Sequence, residues 1–360
     1  MAKKIRIKDI AKMAGISPGT VDRVLHNRGN VSPSARQAID AVLKEVNYQP
    51  NIHLSSISLR RSYKLVVTVP EFETGEYWAS FHKGVKRAMS VFEHINIDCK
   101  FMYYNQFDLY SCRSVFKQIS EMAVDGVIIG PTFRDETIFL TNILEEKNIP
   151  YIYVDSQIEY TFPMACFAAN LYQCGYLMGK LINMITPEDS HFVLFQTERV
   201  GDASANTTIL RKQGLMTYLQ EVNLHTNLHR LSFSVGDSER NEELIGNYFE
   251  EHPEVRGALV LNSRASVIAN YFERHNINGV KLIGIDLTDS NIQALKAGRI
   301  DFLMGQRPEQ QGYLGVKTLI QALIYGTKDQ TGYIMPLDIV MRENVDLYQE
   351  FSDISFVDGK

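Results

Sequence analysis

Near its start the chain reads Ile7-Lys-Asp-Ile-Ala-Lys-Met-Ala-Gly-Ile-Ser-Pro-Gly-Thr-Val-Asp-Arg-Val-Leu25, a stretch that contains two helical patterns. Apolar residues recur at helical spacing on both sides of Gly15. This glycine can adopt the left-handed backbone conformation that ends a helix. Ser17 can cap the second helix, and Pro18 suits its first position. Two short helices separated by a turn of two or three residues are typical of a helix-turn-helix.

A third helical pattern begins with the same start signal, a serine followed by a proline. Ser32-Pro33 repeats the cap and the proline, and apolar residues then recur at helical spacing to about Asn47. Three short helices that share one small core are therefore predicted over residues 1–50. The next segment, 51–63, is too short to form a stable helix alone and is expected to be a hinge or linker.

The charge of the chain is divided unevenly. Through Lys64 there are 12 lysines and arginines against four acidic residues, whereas the remainder carries 25 against 38. A basic head on an acidic body indicates that the head alone binds a polyanion, because lysine and arginine displace counterions from phosphates. On charge alone, a solvated basic surface is an equal alternative.

The head resembles the DNA-binding headpiece of the lactose/galactose repressor (LacI/GalR) family. The resemblance rests on the run quoted above with Val31-Ser32, Arg36 and Asn47-Tyr-Gln-Pro-Asn51, and it is continuous over residues 5 to 51. It implies that the second helix enters the major groove of double-stranded DNA. The implied DNA contacts are Lys8, Ser17, Pro18, Gly19, Thr20, Arg23, Arg28, Asn30, Ser32, Arg36, Tyr48, Asn51 and Ile57.

Different roles are implied within that set. Phosphate contacts are implied for Ser17, Thr20, Asn30, Ser32 and Arg36. Arg23 is the better candidate for contacting a base, because its guanidinium group can form two hydrogen bonds to guanine. Ile57 aligns with a leucine that relatives wedge into a minor-groove step, and packing under the linker is the alternative. Pro18 and Gly19 stand where the family often has longer side chains, so no operator sequence can be transferred from a relative.

From Lys64 onward, short apolar runs alternate with segments long enough for helices. Buried parallel strands are predicted at 65–69, 126–129, 151–154, 192–195, 258–261 and 282–285. This pattern predicts an α/β body with doubly wound parallel sheets. Gly126 and Asp155 are 29 residues apart, as are Gly257 and Asp286. We therefore predict two similar lobes, each with an aspartate at the carboxyl end of a strand, where open sheets bind ligands.

The body resembles the sensor domain of the same family, in the branch closest to periplasmic ribose-type sugar-binding proteins. The resemblance rests on Ile283-Gly-Ile-Asp-Leu-Thr-Asp, Ala294-Leu-Lys-Ala-Gly-Arg-Ile-Asp, Gly305-Gln-Arg-Pro, Gly312-Tyr-Leu-Gly and Met335-Pro-Leu-Asp-Ile-Val. It implies a two-lobed domain over 64–360. The implied N-lobe covers about 64–168 and 307–330, and the implied C-lobe about 170–305 and 335–350. Chain crossings are implied near 168–170, 305–307 and 330–335.

The resemblance also implies a set of effector-binding residues between the lobes. These are Tyr77, Trp78, Asp155, Arg211, Asn262, Asp286 and Gln306. They suit a polyol, because carboxylates accept from hydroxyls, amides and a guanidinium donate, and an aromatic face covers C–H groups. Helix capping or ion pairing between lobes is the alternative for the polar members, and core packing for Trp78. Ser156 and Ile209 stand where sugar-binding relatives carry arginines, which leaves the ligand's identity open.

The resemblance and the charge division together predict a cytoplasmic, homodimeric transcription regulator, in particular a repressor. It is expected to bind a palindromic operator and to respond by allostery to a sugar-like small molecule. No apolar run approaches the ~20 residues of a membrane helix, and the N-terminal residues lack the apolar segment of a signal peptide. A solute-binding module of a transport system is the alternative for the body.

An enzyme is not expected. Asp155 and Asp286 could form an acid and base pair for glycoside hydrolysis, but no G-x-G-x-x-G, G-x-S-x-G or P-loop motif is present. The four cysteines include no C-x-x-C pair. His225 and His229 are expected to be a chance surface pair, since no third ligand has a clear spacing. Neither a cofactor nor a metal is predicted.

Overall fold

A computed structural model describes residues 7–25, 31–45, 61–201, 206–326 and 331–348 of the chain. The expected DNA contacts Arg28, Asn30, Tyr48, Asn51 and Ile57 lie outside the described residues. Among the helices that the described residues form, none has the length and apolar character needed to cross a membrane.

Three short helices form the N-terminal head: α1 (Ile7–Ala14), α2 (Pro18–Leu25) and α3 (Pro33–Glu45). Their common core consists of Ile10, Ala11, Val21, Val24, Ile39 and Val42. Gly15 ends the first helix at a φ of +66°, which glycine adopts without a steric penalty. The Ser17 hydroxyl accepts the backbone N–H of Thr20 at 3.2 Å and so caps the second helix. The predicted helix-turn-helix is confirmed.

The first sheet of the body has six strands, all parallel. They are β1 (Tyr63–Pro70), β2 (Ile97–Tyr104), β3 (Gly126–Ile129), β4 (Tyr151–Val154), β5 (Ala165–Ala169) and β11 (Thr331–Met335), in the spatial order β11-β5-β4-β3-β1-β2. Helices α4 (Tyr77–Val91) and α12 (Pro308–Tyr325) cover one face, and α5 (Leu109–Glu121) and α6 (Arg134–Glu146) cover the other. This sheet and its helices form the N-lobe.

The second sheet also has six strands. They are β6 (His191–Thr197), β7 (Leu228–Phe233), β8 (Val255–Val260), β9 (Lys281–Ile285), β10 (Phe302–Gly305) and β12 (Asp338–Val340), in the spatial order β12-β10-β9-β8-β6-β7. Helices α7 (Leu171–Ile185) and α8 (Asn206–Glu221) cover one face, and α9 (Ser238–Glu251), α10 (Ala265–Arg274) and α11 (Asp289–Lys296) cover the other. This is the C-lobe.

One strand departs from the parallel pattern that the sequence predicts. β12 pairs antiparallel with β10 at the edge of the C-lobe sheet. It enters directly from the other lobe and not through a crossover helix, so nothing forces it to run parallel. The rest of the doubly wound α/β architecture agrees with the prediction.

The chain passes between the two sheets three times: at Asn170, at 306–307 and at 336–337. The third crossing lies later than the expected 330–335. Residues 331–335 pair along their whole length with β5, so they belong to the N-lobe. Pro336, which has no N–H to extend the ladder, follows directly.

Candidate functional site

Two aspartates stand at equivalent points of the two lobes, each directly after a strand. Asp155 follows β4 with a φ of +68°, and Asp286 follows β9 with a φ of +70°. A left-handed conformation is uncommon for residues other than glycine, and such conformations cluster at ligand sites. Both aspartates lie at the carboxyl ends of parallel strands, as the repeated spacing predicts.

Asp286 is the centre of a buried hydrogen-bond network. Its two carboxylate oxygens accept from Gln306 Nε2 and from the Ser263 hydroxyl, each at 2.7 Å. Gln306 Oε1 accepts from Arg211 Nη2 at 2.9 Å, and Arg211 Nη1 donates to the Leu261 carbonyl at 3.1 Å. Asp286, Gln306 and Arg211 are all buried, so the network holds their polar ends in fixed positions.

Two buried polar groups beside this network lack a well-formed hydrogen bond. Within the described part of the chain, neither the Arg211 Nε nor the Tyr77 hydroxyl makes a hydrogen bond of good geometry, and the Tyr77 hydroxyl lies beside the carboxyl group of Asp155. A buried polar group without a partner costs about 1–3 kcal/mol. A ligand that offers oxygen atoms at this place would satisfy both groups.

The charges in this region favour a ligand that donates hydrogen bonds. Burial raises the pKa of Asp155 to about 6, and the charge of Asp286 adds to the rise while Arg211 opposes it. Burial also raises the pKa of Asp286, against the opposing effects of Arg211 and Gln306. The pKa of Tyr77 is raised well above its usual value, first by burial, so its hydroxyl keeps its proton. One guanidinium faces two carboxyl groups, which disfavours an anionic ligand.

Gln311 ties the second chain crossing to the N-lobe. Its side-chain oxygen accepts the backbone N–H of Asp155 at 2.8 Å, and its amide nitrogen donates to the carbonyl of Gln306 at 2.8 Å. The side chain is fully buried. Sequence reasoning missed both Gln311 and Ser263, because each acts through a tertiary contact that cannot be predicted from spacing along the chain.

The expected aromatic pair opens helix α4. The rings of Tyr77 and Trp78 meet edge to face, with their centroids 5.0 Å apart. Trp78 also packs against Phe81, at 5.4 Å, and a Cβ at Gly130 would lie 2.6 Å from its ring. The indole therefore belongs to the core of the N-lobe, at the point where β3 ends.

Asn262 shapes the turn after β8. Its side-chain oxygen accepts the backbone N–H of Arg264 at 3.0 Å, and its amide nitrogen donates to Thr197 Oγ1 at 3.3 Å. Arg264 then reaches across to the N-lobe, where its Nη1 lies 2.7 Å from Glu76 Oε1. Sequence reasoning did not identify this ion pair between the lobes.

Backbone contacts also join the lobes. The N–H of Asp289 donates to the carbonyl of Gly75 at 2.9 Å, and the N–H of Val200 donates to the carbonyl of Phe107 at 2.8 Å. The first residue of each pair belongs to the C-lobe and the second to the N-lobe. The lobes are therefore in direct contact around the network of Asp286.

The two positions that lack a family arginine have different environments. The Ser156 side chain is buried, and its hydroxyl donates to the carbonyl of Pro131 at 3.0 Å. Ile209 is exposed on helix α8. Ser156 thus stabilises the loop after β4, whereas Ile209 takes no part in the network.

The outer surface of the head carries the expected DNA contacts that the structure describes. The exposed members are Lys8, Ser17, Pro18, Gly19, Arg23, Ser32 and Arg36, whereas Thr20 is half-buried. Val21 and Val24 point into the core from the opposite side of α2. A Cβ at Gly19 would meet nothing within 4 Å, so this side of the helix is open to a partner.

Comparisons with known proteins agree with both parts of this architecture. Residues 65–328 match the periplasmic binding protein domain, and residues 6–51 match the bacterial regulatory proteins of the lacI family. The chain is 31% identical to a candidate LacI transcriptional regulator from Bacteroides fragilis, with a TM-score of 0.76 over 80% of this chain and 100% of that one. The chain belongs to the lacI family of regulators.

Curated relatives of this lacI-family regulator are named as regulators of transcription. The sucrose operon repressor of Staphylococcus xylosus is 26% identical over 63% of this chain and 66% of its own length, just under two thirds. The regulator MalR of Streptococcus pneumoniae is 21% identical over 82% of this chain and 90% of its own. Both relatives are named as regulators of transcription, and the headpiece match favours a regulator over a solute-binding module of a transport system.

Proposed function

We propose that this lacI-family regulator is a repressor whose affinity for operator DNA is controlled by a sugar or sugar derivative bound between the lobes. The observation that carries the proposal is the buried network of Asp286, Gln306 and Arg211, beside which the Arg211 Nε and the Tyr77 hydroxyl lack well-formed hydrogen bonds. A cleft whose polar groups are fixed but incompletely satisfied is suited to a small polar molecule.

The chemistry of the cleft favours a neutral, hydroxyl-rich molecule. The Arg211 Nε donates, the Tyr77 hydroxyl can donate and accept, and the carboxylates of Asp155 and Asp286 accept from hydroxyls. Two carboxylates against one guanidinium would repel a phosphosugar or a sugar acid. The sucrose operon repressor among the curated relatives is named for a sugar operon, which supports this class of effector.

The DNA-binding part of the proposal rests on the head. Two copies of α2, one from each subunit of a homodimer, would enter successive major grooves of a palindromic operator. Arg23 would read a base, and Ser17, Ser32 and Arg36 would contact phosphates. Closure of the lobes on the effector would shift the two N-lobes against each other. This shift would change whether the two 51–63 segments can form the hinge on the operator, where Ile57 would be wedged into the minor groove. The effector changes operator affinity only to the extent that it binds the closed and the open arrangement of the lobes with different affinities.

The proposal is tested by separating the two binding activities. A thermal-shift screen of the full chain against monosaccharides, polyols, sugar acids, phosphosugars and nucleosides first identifies the effector. A ligand at 100 times its dissociation constant adds about 2.7 kcal/mol of stability, enough to move the melting midpoint by several degrees.

Two variants then divide the activities. Arg23→Ala should weaken operator binding by about 5- to 150-fold and leave effector affinity unchanged, because one base contact is worth about 1–3 kcal/mol. Asp286→Ala should abolish the thermal shift and leave operator binding without effector intact. Equal losses of both activities in both variants would contradict the proposal.

A further inference from the structure

Four side chains meet at the amino-terminal ends of strands in the C-lobe sheet, on the side of the sheet opposite the cleft. His191 is the first residue of β6, His229 is the second residue of β7, and Glu254 directly precedes β8. His252 is the C-cap residue that directly follows helix α9. Because β8, β6 and β7 are parallel neighbours, their amino ends lie side by side at this edge.

The distances within this cluster match those of a metal site. His191 Nδ1 lies 3.1 Å from His229 Nε2 and 3.7 Å from Glu254 Oε1. One candidate ligand atom from each of the three side chains lies within 4.8 Å of the other two. Bonds of ~2.05 Å at a tetrahedral angle place two zinc ligands about 3.3 Å apart. The two short distances fall on either side of that value.

The surroundings orient these side chains as a ligand set requires. His252 Nδ1 lies 3.1 Å from Glu254 Oε1, so it can hold the carboxylate in place. The ring of His252 is perpendicular to the ring of His229, with the centroids 4.7 Å apart.

We propose that His191, His229 and Glu254 bind one divalent transition-metal ion, with zinc as the best fit. Two imidazole nitrogens and one carboxylate oxygen suit zinc, whereas magnesium and calcium prefer all-oxygen ligands. The side chains of His191 and Glu254 are 35% and 39% exposed, so an ion can enter from solvent and keep a water ligand. The ion would link β6, β7 and the turn before β8, and so stabilise the C-lobe.

The site differs from the histidine pair that the sequence suggests. His225 precedes His229 by four residues, but the metal-ligand group that the described residues form does not include it. The partners of His229 come from neighbouring strands and not from its own segment. His225 therefore provides a matched control: an exposed histidine close in sequence to a proposed ligand.

The test uses the full chain without a polyhistidine tag, stripped of metal with a chelator and then dialysed. Isothermal titration with zinc sulfate should give one ion per chain. His229→Asn and Glu254→Gln should each weaken zinc binding at least tenfold, whereas His225→Asn should bind zinc as the wild type does. Cobalt(II) should give a visible absorption spectrum in the wild type that is absent in His229→Asn.

Two results would overturn the proposal. One is no zinc binding by a wild-type chain that melts cooperatively. The other is zinc binding that is the same in the wild type, His229→Asn and Glu254→Gln, which would place the ion elsewhere. Melting curves of the variants without metal show whether each one folds. If His229→Asn does not fold, His191→Gln replaces it, with the same tenfold loss expected.

Discussion

Burial disfavours the charged form of the Asp155 carboxyl group, and the neighbouring Asp286 adds to this effect. Burial raises its pKa from 3.8 to about 6. Between these values the folded chain binds more protons than the unfolded chain, so the contribution of this group to the free energy of unfolding falls as the pH rises. The loss begins near pH 4 and is complete above about pH 6. Asp155 therefore lowers stability at neutral pH, which is consistent with a residue kept for binding.

This gives a prediction for Asp155→Asn, which keeps the shape of the side chain and removes its charge. We expect its free energy of unfolding at about pH 7.5 to exceed that of the wild type by at most about 3 kcal/mol, at 1.36 kcal/mol for each pKa unit, and its melting midpoint to be higher accordingly. At about pH 4 the two midpoints should nearly coincide. Thermal unfolding without ligand measures both, with the exposed Asp98→Asn as the control. A variant less stable than the wild type at both pH values would contradict the pKa argument.

Part of the candidate site could be read from single residues. The equal spacings to Asp155 and Asp286 mark equivalent strand ends, and the structure places both aspartates in the same left-handed conformation. Ser263 and Gln311 could not be found in this way. Their hydrogen bonds to the side chain of Asp286 and the backbone of Asp155 depend on how separate segments pack, and spacing along the chain does not encode that.

At the scale of elements, strand prediction succeeded for three adjacent inner strands of each sheet and missed the inner strands β5 and β10, which are also buried. Central strands such as β3 and β4 are apolar at every position and fully buried. The edge strand β2 alternates half-buried and exposed residues over 97–101, and β11 exposes Tyr333 and Ile334. Polar residues or glycine interrupt the apolar pattern of these edge strands, so the sequence pattern did not reveal them.

Two helices of the C-lobe cross at glycines, and this contact positions a cleft residue. A Cβ at Gly175 would lie 1.7 Å from the carbonyl oxygen of Arg211, and one at Gly214 would lie 1.8 Å from that of Tyr172. The absence of side chains lets α7 and α8 approach closely. The backbone of Arg211 is thereby held where its guanidinium reaches Gln306.

Gly175→Ala tests this coupling between packing and binding. The added methyl group must push the two helices apart, which should destabilise the chain by about 1–3 kcal/mol. Effector affinity should also fall, because Arg211 moves with its helix. Gly236→Ala is the matched control, since a Cβ there meets nothing within 4 Å. Calorimetric melting and titration with the effector measure the two effects. Wild-type values for both in Gly175→Ala would refute the coupling.

At the scale of the whole molecule, two of the connections between the lobes in the described part of the chain bear on the cleft. The chain crossings form one, where Gln306 and Gln311 connect the strand ends of both sheets. The contacts between lobes form the other, where Arg264 pairs with Glu76. An effector bound between these two places would stabilise the arrangement in which both sets of contacts are made. Closure and binding are then linked by mass action.

The ion pair between the lobes provides the test of that link. Arg264→Ala should weaken effector binding by up to about fivefold, because a partly exposed pair contributes about 1 kcal/mol or less to the closed arrangement. Arg240→Ala is the control, since Arg240 pairs with Glu198 within one lobe. A double-mutant cycle with Glu76→Gln isolates the pair from the other contacts of Arg264. If closure and binding are linked, the double variant loses no more affinity than Arg264→Ala alone. Additive losses, or equal effects of Arg240→Ala and Arg264→Ala, would mean that this pair does not contribute to effector binding.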